Sequence, residues 1–561
     1  MTPQAQAKRI IWIRRGVQTL SLGLFLVLLF ATHAVEQGAS PDRFLKLYFL
    51  IDPLILLATW LATHTLAGLS LLALATVGVT LVLGRVFCGW ICPFGVLHQA
   101  LTWIRSRIRR QAPGADVFSS WQRAKYLLLV ALLIMSLFGA HWIGVFDPAA
   151  MLYRSTTTTV VPAVQYVVED GATAVYHSDP HVGPFHFTSV TEPVYRFFRD
   201  RVFFGQRLVF TGSLLLFALF AGAVLLNFYR PRFWCRYVCP LGALLGLCAR
   251  RTALRLAPTD TECKDCGLCT ISCPAAAQPE KPGEWLRDEC FVCWNCVGAC
   301  NRHAVNFRFE WPWKRPRAAK VSLSRRATLG ALAGGVGGLL LFRIKPEAQA
   351  RIYNAELIRP PGAPAEREFL QRCIQCGVCM KACPTNALQP ALAQAGLEGV
   401  WSPILVPRLG YCEYNCNLCG QVCPTEAIKP LPLVEKQKVK IGLAVIDTTR
   451  CLPYAFDRQC IVCEEHCPIP TKAIYFVEKT ITQRDGAPLT VKLPRVDPEL
   501  CTGCGICETK CPFQDRAAIR VTSANEDRHP GNQPVLPGGG LDGLAPVDTT
   551  GAGSTWQDPY G

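Results

Sequence analysis

The chain has 561 residues, half of them hydrophobic, with 29 cysteines and a formal net charge of +17. The length allows three or four domains, and the hydrophobic content points to the membrane class. The positive charge does not read as a nucleic-acid surface, because Lys and Arg crowd beside apolar segments as in cytoplasmic loops, and the repeated Cys-x-x-Cys-x-x-Cys runs exclude the disulfide framework of a short secreted protein.

Lys8, Arg9, Arg14 and Arg15 precede the apolar run Val17 to Val35, which predicts a first span leaving a cytoplasmic amino terminus. Asp52-Pro53, an Asp cap followed by proline at the first helical position, opens Leu54 to Leu66. That piece is short for a span and reads as lying in the outer interface. A second span, Gly68 to Val86, returns inward to Cys88-x-x-x-Cys92-Pro93-x-Gly95. The basic segment around Trp103, Ile104 and Ile108 reads as an interfacial cytoplasmic helix. A third span, Tyr126 to Trp142, leads out to Asp147-Pro148 and a mostly polar outer segment, Met151 to Gln206. A fourth, Leu208 to Phe228, comes back to Cys235-x-x-x-Cys239-Pro240-x-Gly242.

One plan therefore occurs twice, and two similar hairpins are expected to pack as a pseudo-symmetric pair. That arrangement brings Cys88, Cys92, Cys235 and Cys239 together near the cytoplasmic surface. The four are candidates for a redox or metal centre with a catalytic role, either as ligands or as a dithiol-disulfide couple. The alternative is that they are buried small side chains at helix turns ended by Pro93 and Pro240. Cys248 reads as a packing residue. His33, His64, His141, His177, His181 and His186 fall on the outer side, either to exchange protons with a quinol, to bind a metal or simply to be solvated.

Cys263, Cys266, Cys269 and Cys273, then Cys290, Cys293, Cys296 and Cys300, repeat the Cys-x2-Cys-x2-Cys-x3-Cys spacing. In such runs three cysteines surround one cubane and the fourth reaches its partner. The expected sets are Cys263, Cys266, Cys269 and Cys300, and Cys290, Cys293, Cys296 and Cys273. Asn301 stands where a second proline is usual. Zinc sites rarely use four cysteines in so tight a run. On the paired Cys-x-x-x-Cys-Pro motifs and this dicluster unit, residues 10–310 resemble the NapH and MauN membrane ferredoxin family, and more distantly NosR-type and CcoG-type proteins.

After the basic linker Lys314 to Lys320, Ser324-Arg325-Arg326-Ala327-Thr328-Leu329 precedes the uncharged run Ala327 to Phe342. This resembles a twin-arginine signal, the alternative being an ordinary basic flank of a fifth span. Ala348-Gln349-Ala350 resembles a signal-peptidase site. Beyond it come Cys373, Cys376, Cys379 and Cys383; Cys412, Cys416, Cys419 and Cys423; Cys451, Cys460, Cys463 and Cys467; and Cys501, Cys504, Cys507 and Cys511. Pro384, Pro424, Pro468 and Pro512 follow the final cysteines. Sixteen ligands suit four cubanes, paired sequentially or nested. This half resembles the NapG and MauM ferredoxins, which carry four such quartets behind a twin-arginine leader. The tail from Asn525 is rich in Gly, Pro and Asp and is expected to be disordered.

The fold class expected is an α-helical membrane domain, four helices as two repeated hairpins plus a fifth anchor helix, with two α+β bacterial-ferredoxin-like polycluster domains. The boundaries read as 1–257 membrane domain, 258–310 dicluster domain, 311–349 linker and anchor, 350–522 four-cluster domain and 523–561 tail. The resemblances imply a fusion of the two families in the bacterial inner membrane, the first ferredoxin domain cytoplasmic and the second periplasmic. They imply six 4Fe-4S clusters, with iron held by the 24 quartet cysteines, passing electrons between the quinone pool and a periplasmic redox enzyme or cytochrome. The CcoG resemblance implies an alternative, a metal- or thiol-reducing factor for assembly of a redox enzyme. No nucleotide fingerprint, Walker loop or Ser-His-Asp grouping stands out, which disfavours a self-contained small-molecule enzyme.

Overall fold

A computed structural model describes residues 3–32, 46–65, 71–108, 117–182, 185–203, 207–259, 261–279, 285–310, 324–343, 354–482, 488–529 and 531–532. His33, the basic linker and Ala348-Gln349-Ala350 lie outside the described residues.

The helical part begins with α1 (Pro3–Ala31). Among the described residues it is the one helix both long and apolar enough to cross a membrane, and shorter apolar helices cover Pro53–Thr63, Ala73–Leu83, Ser213–Phe228 and Pro240–Ala249. Both Asp-Pro pairs start helices as expected. Asp52 Oδ1 accepts from the amides of Leu54 and Ile55 at 2.8 and 3.3 Å and opens α2 (Pro53–Thr63). The second span is shorter than the hydropathy suggests: α3 (Ala73–Leu83) stops at Gly84, in the left-handed region at φ +87°, and Phe87–Ile91 winds as a π turn before α4 (Pro93–Ile108). After α5 (Ala124–Leu137), Asp147 Oδ1 accepts from Ala149 and Ala150 at 3.0 and 2.9 Å and opens α6 (Pro148–Ser155).

The segment after Asp147 differs from its expected outer, polar character. Met151 to Thr159 are all buried, and α7 (Val161–Ser178) continues the helix through a second π turn. The run tolerates burial because Thr156 and Thr158 donate their hydroxyls to the carbonyls of Leu152 and Arg154, four residues back. The fourth apolar helix, α8 (Ser213–Leu225), starts later than Leu208. Val209 and Thr211 are held instead by Asn386 and Gln389. A third π turn, Trp234–Val238, precedes α9 (Pro240–Ala249). Finally α10 (Arg325–Phe342), capped by Ser324 Oγ on the Ala327 amide, lies along α5. A Cβ at Gly335 would stand 2.9 Å from the Ala131 carbonyl, so this glycine sets the close approach.

The first ferredoxin unit is closed by β1 (Leu254–Pro258) antiparallel to β2 (Val305–Phe309). The strand pair straddles the boundary expected at 257/258, because Leu254 and Leu256 turn inward with Phe307. The second unit holds β3 (Leu388–Pro390) with β4 (Pro403–Leu405), β5 (Leu443–Ile446) with β8 (Ile519–Thr522), and the hairpin β6 (Ile474–Thr482) with β7 (Pro488–Val496). Ser523 to His529 and Asn532 fold back on it, contrary to the expected disorder from Asn525. Asn532 Nδ2 donates to Ser523 O at 2.8 Å and Arg528 pairs with Glu366 and Glu526. Residues 533–561 lie outside the described residues.

The two units occupy opposite ends of the helical layer. At the amino-terminal end of α5, Lys125 pairs with Glu289, and Arg85 Nη1 donates to Asp288 O at 2.9 Å. Beyond the other end, a Cβ at Gly144 would stand 2.0 Å from Ile374 O, and Arg154 Nη1 donates to Gln375 O at 2.9 Å. At 1.5 Å per residue the 14 residues of α5 separate these ends by about 20 Å.

Candidate functional site

The geometry gathers one of the two sets that the spacing rule expects in the first unit. Cys273 leaves its own run: Cys296 is within electrostatic reach of Cys293, Cys273 and Cys290, and those four thiols line one pocket walled by Trp285, Phe291, Trp294 and Phe307. Cys263 and Cys266 are exposed, with Cys269 and Cys300 half-buried, and Cys269 is also within reach of Cys296.

In the second unit the pairing left open by sequence is sequential. Cys373, Cys376 and Cys379 gather around Cys423, while Cys412, Cys416 and Cys419 gather around Cys383. Cys451, Cys460 and Cys463 share a pocket with Cys511, and Cys501, Cys504 and Cys507 share one with Cys467. The sets also follow one another. Cys379 reaches Cys419, Cys412 reaches Cys504 through an amide donated to the Cys504 carbonyl at 2.8 Å, and Cys507 reaches Cys463. Four sets thus stand in series, beginning against the helices and ending on the half-exposed Cys460, Cys463 and Cys511.

These residues fit cubanes. Burial pushes the Cys273 thiol up to about 11 and those of Cys373 and Cys504 up to about 12, so a bare thiolate is disfavoured there until a cation offsets the burial. Backbone amides point at sulfur, Val292 to Cys290 at 3.4 Å, Ala304 to Cys300 at 3.3 Å and Ala518 to Cys511 at 3.4 Å, and such bonds tune cluster potentials.

Cys88, Cys92, Cys235 and Cys239 are brought together as expected. All four are buried, and Cys239 is within reach of the other three. Each motif bends through its π turn so that the second cysteine precedes a helix amino terminus. The amides of Gly95 and Gly242 donate to Cys92 Sγ and Cys239 Sγ at 3.4 and 3.2 Å. A Cβ at Gly95 would lie 2.7 Å from Cys88 O, and one at Gly242 would lie 2.6 Å from Arg85 Nη2, which accounts for glycine in both Cys-Pro-x-Gly motifs.

Sequence reading missed the charged shell around these thiols. Arg85 and Arg232 are fully buried and lie over the Phe291 ring at 4.9 and 4.7 Å. Each crosses to the other motif: Arg232 Nη1 donates to Cys88 O at 3.3 Å, and Arg85 packs on Gly242. The signal was present, since the repeat is Arg-x-x-Cys-x-x-x-Cys-Pro-x-Gly in both copies. Lys125 and Glu289 complete the shell. Of the outer histidines, His141 is buried against Thr59 Oγ1 at 3.2 Å, whereas His64, His177 and His186 are exposed. His181 is paired with His186 across a two-stranded antiparallel ladder.

Comparison with known proteins gives the chemistry independently. A family model described as a 4Fe-4S binding domain matches residues 65–111 and 213–256, one described as a 4Fe-4S dicluster domain matches 372–427, and a further 4Fe-4S binding domain matches 493–519. The methylamine utilization ferredoxin-type protein MauM of Methylobacillus flagellatus is 36% identical over 222 residues, 39% of this chain and 88% of that protein. MauM of Methylorubrum extorquens is 36% identical over 207 residues, 36% of this chain and 89% of that protein. The ferredoxin-type protein NapG of Escherichia coli is 34% identical over 208 residues, 36% of this chain and 88% of that protein. No solved structure matches the chain. Iron-sulfur binding of the 4Fe-4S type and electron transfer follow for this chain.

Proposed function

We propose, from the premise that the chain belongs over 39% of its length to the family of MauM and NapG ferredoxin-type proteins, that it is a membrane-bound electron-transfer module between a quinone pool and a redox protein on the far face. The remainder acts as the NapH-like membrane partner, fused in the same chain. The helices from α1 to α10 form the membrane layer, with the first ferredoxin unit on the cytoplasmic side and the second on the periplasmic side. The arginine pair at Arg325 and Arg326 is the signal that directs the second unit across. The 24 quartet cysteines hold six cubanes, each supplying a site that gains or loses one electron with little rearrangement.

The observation that carries this reading is the serial order of the cysteine sets in the second unit, from buried Cys373, Cys376, Cys379 and Cys423 against the helices to the half-exposed set around Cys460. Such an order suits conduction rather than storage. The protein's own residues insulate the route: Phe369, Ile374 and Met380 are buried beside the first set, and Leu418 and Val422 beside the second. The exposed end presents the surface at which an acceptor such as a cytochrome docks.

The test is anaerobic mixing of the full chain in liposomes with a water-soluble quinol. Bleaching of the visible iron-sulfur absorption by quinol is expected. Bleaching by dithionite but not by quinol would overturn the quinol role while leaving the iron-sulfur sites in place.

A further inference from the structure

The two matches of the first family model fall on segments holding Cys88 and Cys92, and Cys235, Cys239 and Cys248. Neither segment brings four cysteines of its own, and Cys248 stands apart from the other four, half-buried in the last turn of α9. A four-ligand site therefore has to be shared between the hairpins, and Cys239 within reach of Cys235, Cys88 and Cys92 is that shared arrangement. The donors are all thiols, with no His or carboxylate among them. Soft thiolate-only sets select Cu(I), zinc or iron-sulfur clusters, and the family model matched over both segments is described as a 4Fe-4S binding domain.

The surroundings call for an anion. Arg85, Arg232 and Lys125 are buried within 1% of complete, and Glu289 is the carboxylate paired with Arg85 and Lys125. Arg232 has no carboxylate partner among the described residues, and the Nε atoms of Arg232 and Arg85 are buried without hydrogen bonds. The amino termini of α4 and α9, 16 and 10 residues long, add their positive ends at Cys92 and Cys239. Four thiolates around a cubane carry net negative charge, which answers both the buried cations and the helix ends.

The position is intermediate. On one side Arg85 and Arg232 clasp Phe291, the residue between Cys290 and Val292 at the buried set of the first unit. A Cβ at Gly89 would stand 2.3 Å from Phe291 O, and Trp90 Nε1 donates to Val292 O at 3.1 Å. On the other side Cys92 is within electrostatic reach of Asp147, Asp147 of Arg154, and Arg154 of Cys376 and Cys373. Trp234, beside Cys235, stacks on Phe146 at 6.4 Å, next to Asp147.

We propose that Cys88, Cys92, Cys235 and Cys239 together ligate one further 4Fe-4S cubane, and that this shared site joins the two ferredoxin units into one electron path. The proposal rests on the reading that the chain conducts through cubanes. One electron enters the set from a reduced neighbouring cubane, which is thereby oxidised by one, and leaves to an oxidised one, which is reduced by one. No protein bond is made or broken. Arg85 and Arg232 are positioning residues that hold the two motifs together and favour the more negative, reduced state.

Iron and acid-labile sulfide are measured on the full chain purified without oxygen, beside the double variant Cys92→Ser, Cys239→Ser. Serine keeps a hydroxyl to accept the Gly95 and Gly242 amides, so both helix starts survive. The wild type is expected to hold about 28 irons, four for each of seven sets, and the variant about four fewer with one reduced-cluster EPR signal lost. Arg232→Gln is expected to keep the iron and lower the midpoint of that same signal, and Arg232→Lys to retain it. Equal iron in wild type and double variant, or a disulfide between Cys88 and Cys92 in the iron-loaded protein, overturns the shared site. The six-cubane reading fails separately, if the double variant itself holds far fewer than about 24 irons.

Discussion

Both ferredoxin units approach the helix backbone closely, but the first docks around a buried ion pair, whereas at the second Arg154 and Lys46 donate to backbone carbonyls. In the first, Arg14 Nη2 donates to Asn295 Oδ1 at 3.2 Å, Lys125 and Arg85 share Glu289, and Tyr126 donates to Asp288 Oδ2 at 3.1 Å. In the second, Gly144 lies under Ile374, Lys46 donates to Cys423 O at 3.1 Å, and Asn386 Nδ2 donates to Val209 O at 2.7 Å. Both turn a buried cysteine set toward the helices and an exposed one away. The difference teaches that buried cations are neutralised by a carboxylate, Glu289, at the first contact and spent on backbone carbonyls at the second.

Iron removal breaks the comparison most severely. Both units are made of helices of four to seven residues and two-stranded sheets, so the ligated cysteines supply much of their core. Chelation is expected to unfold both units and leave α1 to α10 helical, read as lost visible absorption and protease resistance against retained far-ultraviolet dichroism. A protease-resistant second unit without iron would contradict this.

Glu289→Ala strikes only the charged contact. It strands Lys125 and Arg85 in the interior and is expected to cost about 4 kcal/mol, read by denaturant unfolding of the first unit. The second unit is expected to keep its own midpoint.

Within the second unit, burial alone would raise the Glu366 carboxyl, but Arg359 and Arg528 hold it down to about 2. The folded value lies below the ordinary 4.5, so the stabilisation is complete above that pH and is lost as pH falls toward 2. Glu366→Gln is expected to cost about 3 kcal/mol near neutrality and to flatten the acid dependence between those values. An unchanged acid profile would contradict the pairing.

The smallest effects sharpen the comparison most finely. Gly89→Ala and Gly144→Ala each place a methyl against a carbonyl, of Phe291 and Ile374, and are expected to cost about 2 kcal/mol. The first should loosen only the inner unit and the second only the outer, as read by limited proteolysis.

Much of this was legible in the chain. Quartet spacing gave the exchange of Cys273 into the second set, because three thiols on a tight loop leave the fourth to the neighbour. The Asp-Pro starts were legible because a cap and a fixed φ act locally. Pairing in the second unit was not, since it depends on β5 meeting β8 across some 70 residues. The burial of Met151 to Thr159 was hidden by threonines that satisfy their own hydroxyls within the helix. Arg232 was missed although its partner Arg85 stands at the same offset, because charge beside an apolar segment was read only as a topology signal.

The most direct test uses sealed liposomes carrying the full chain, with cytochrome c trapped inside and dithionite, which does not cross the bilayer, added outside. On the proposed topology, one ferredoxin unit faces each side whichever way the chain inserts. The account predicts that wild type reduces the trapped cytochrome and that the Cys92→Ser, Cys239→Ser variant does not. Reduction by the wild type no faster than in protein-free vesicles would contradict it.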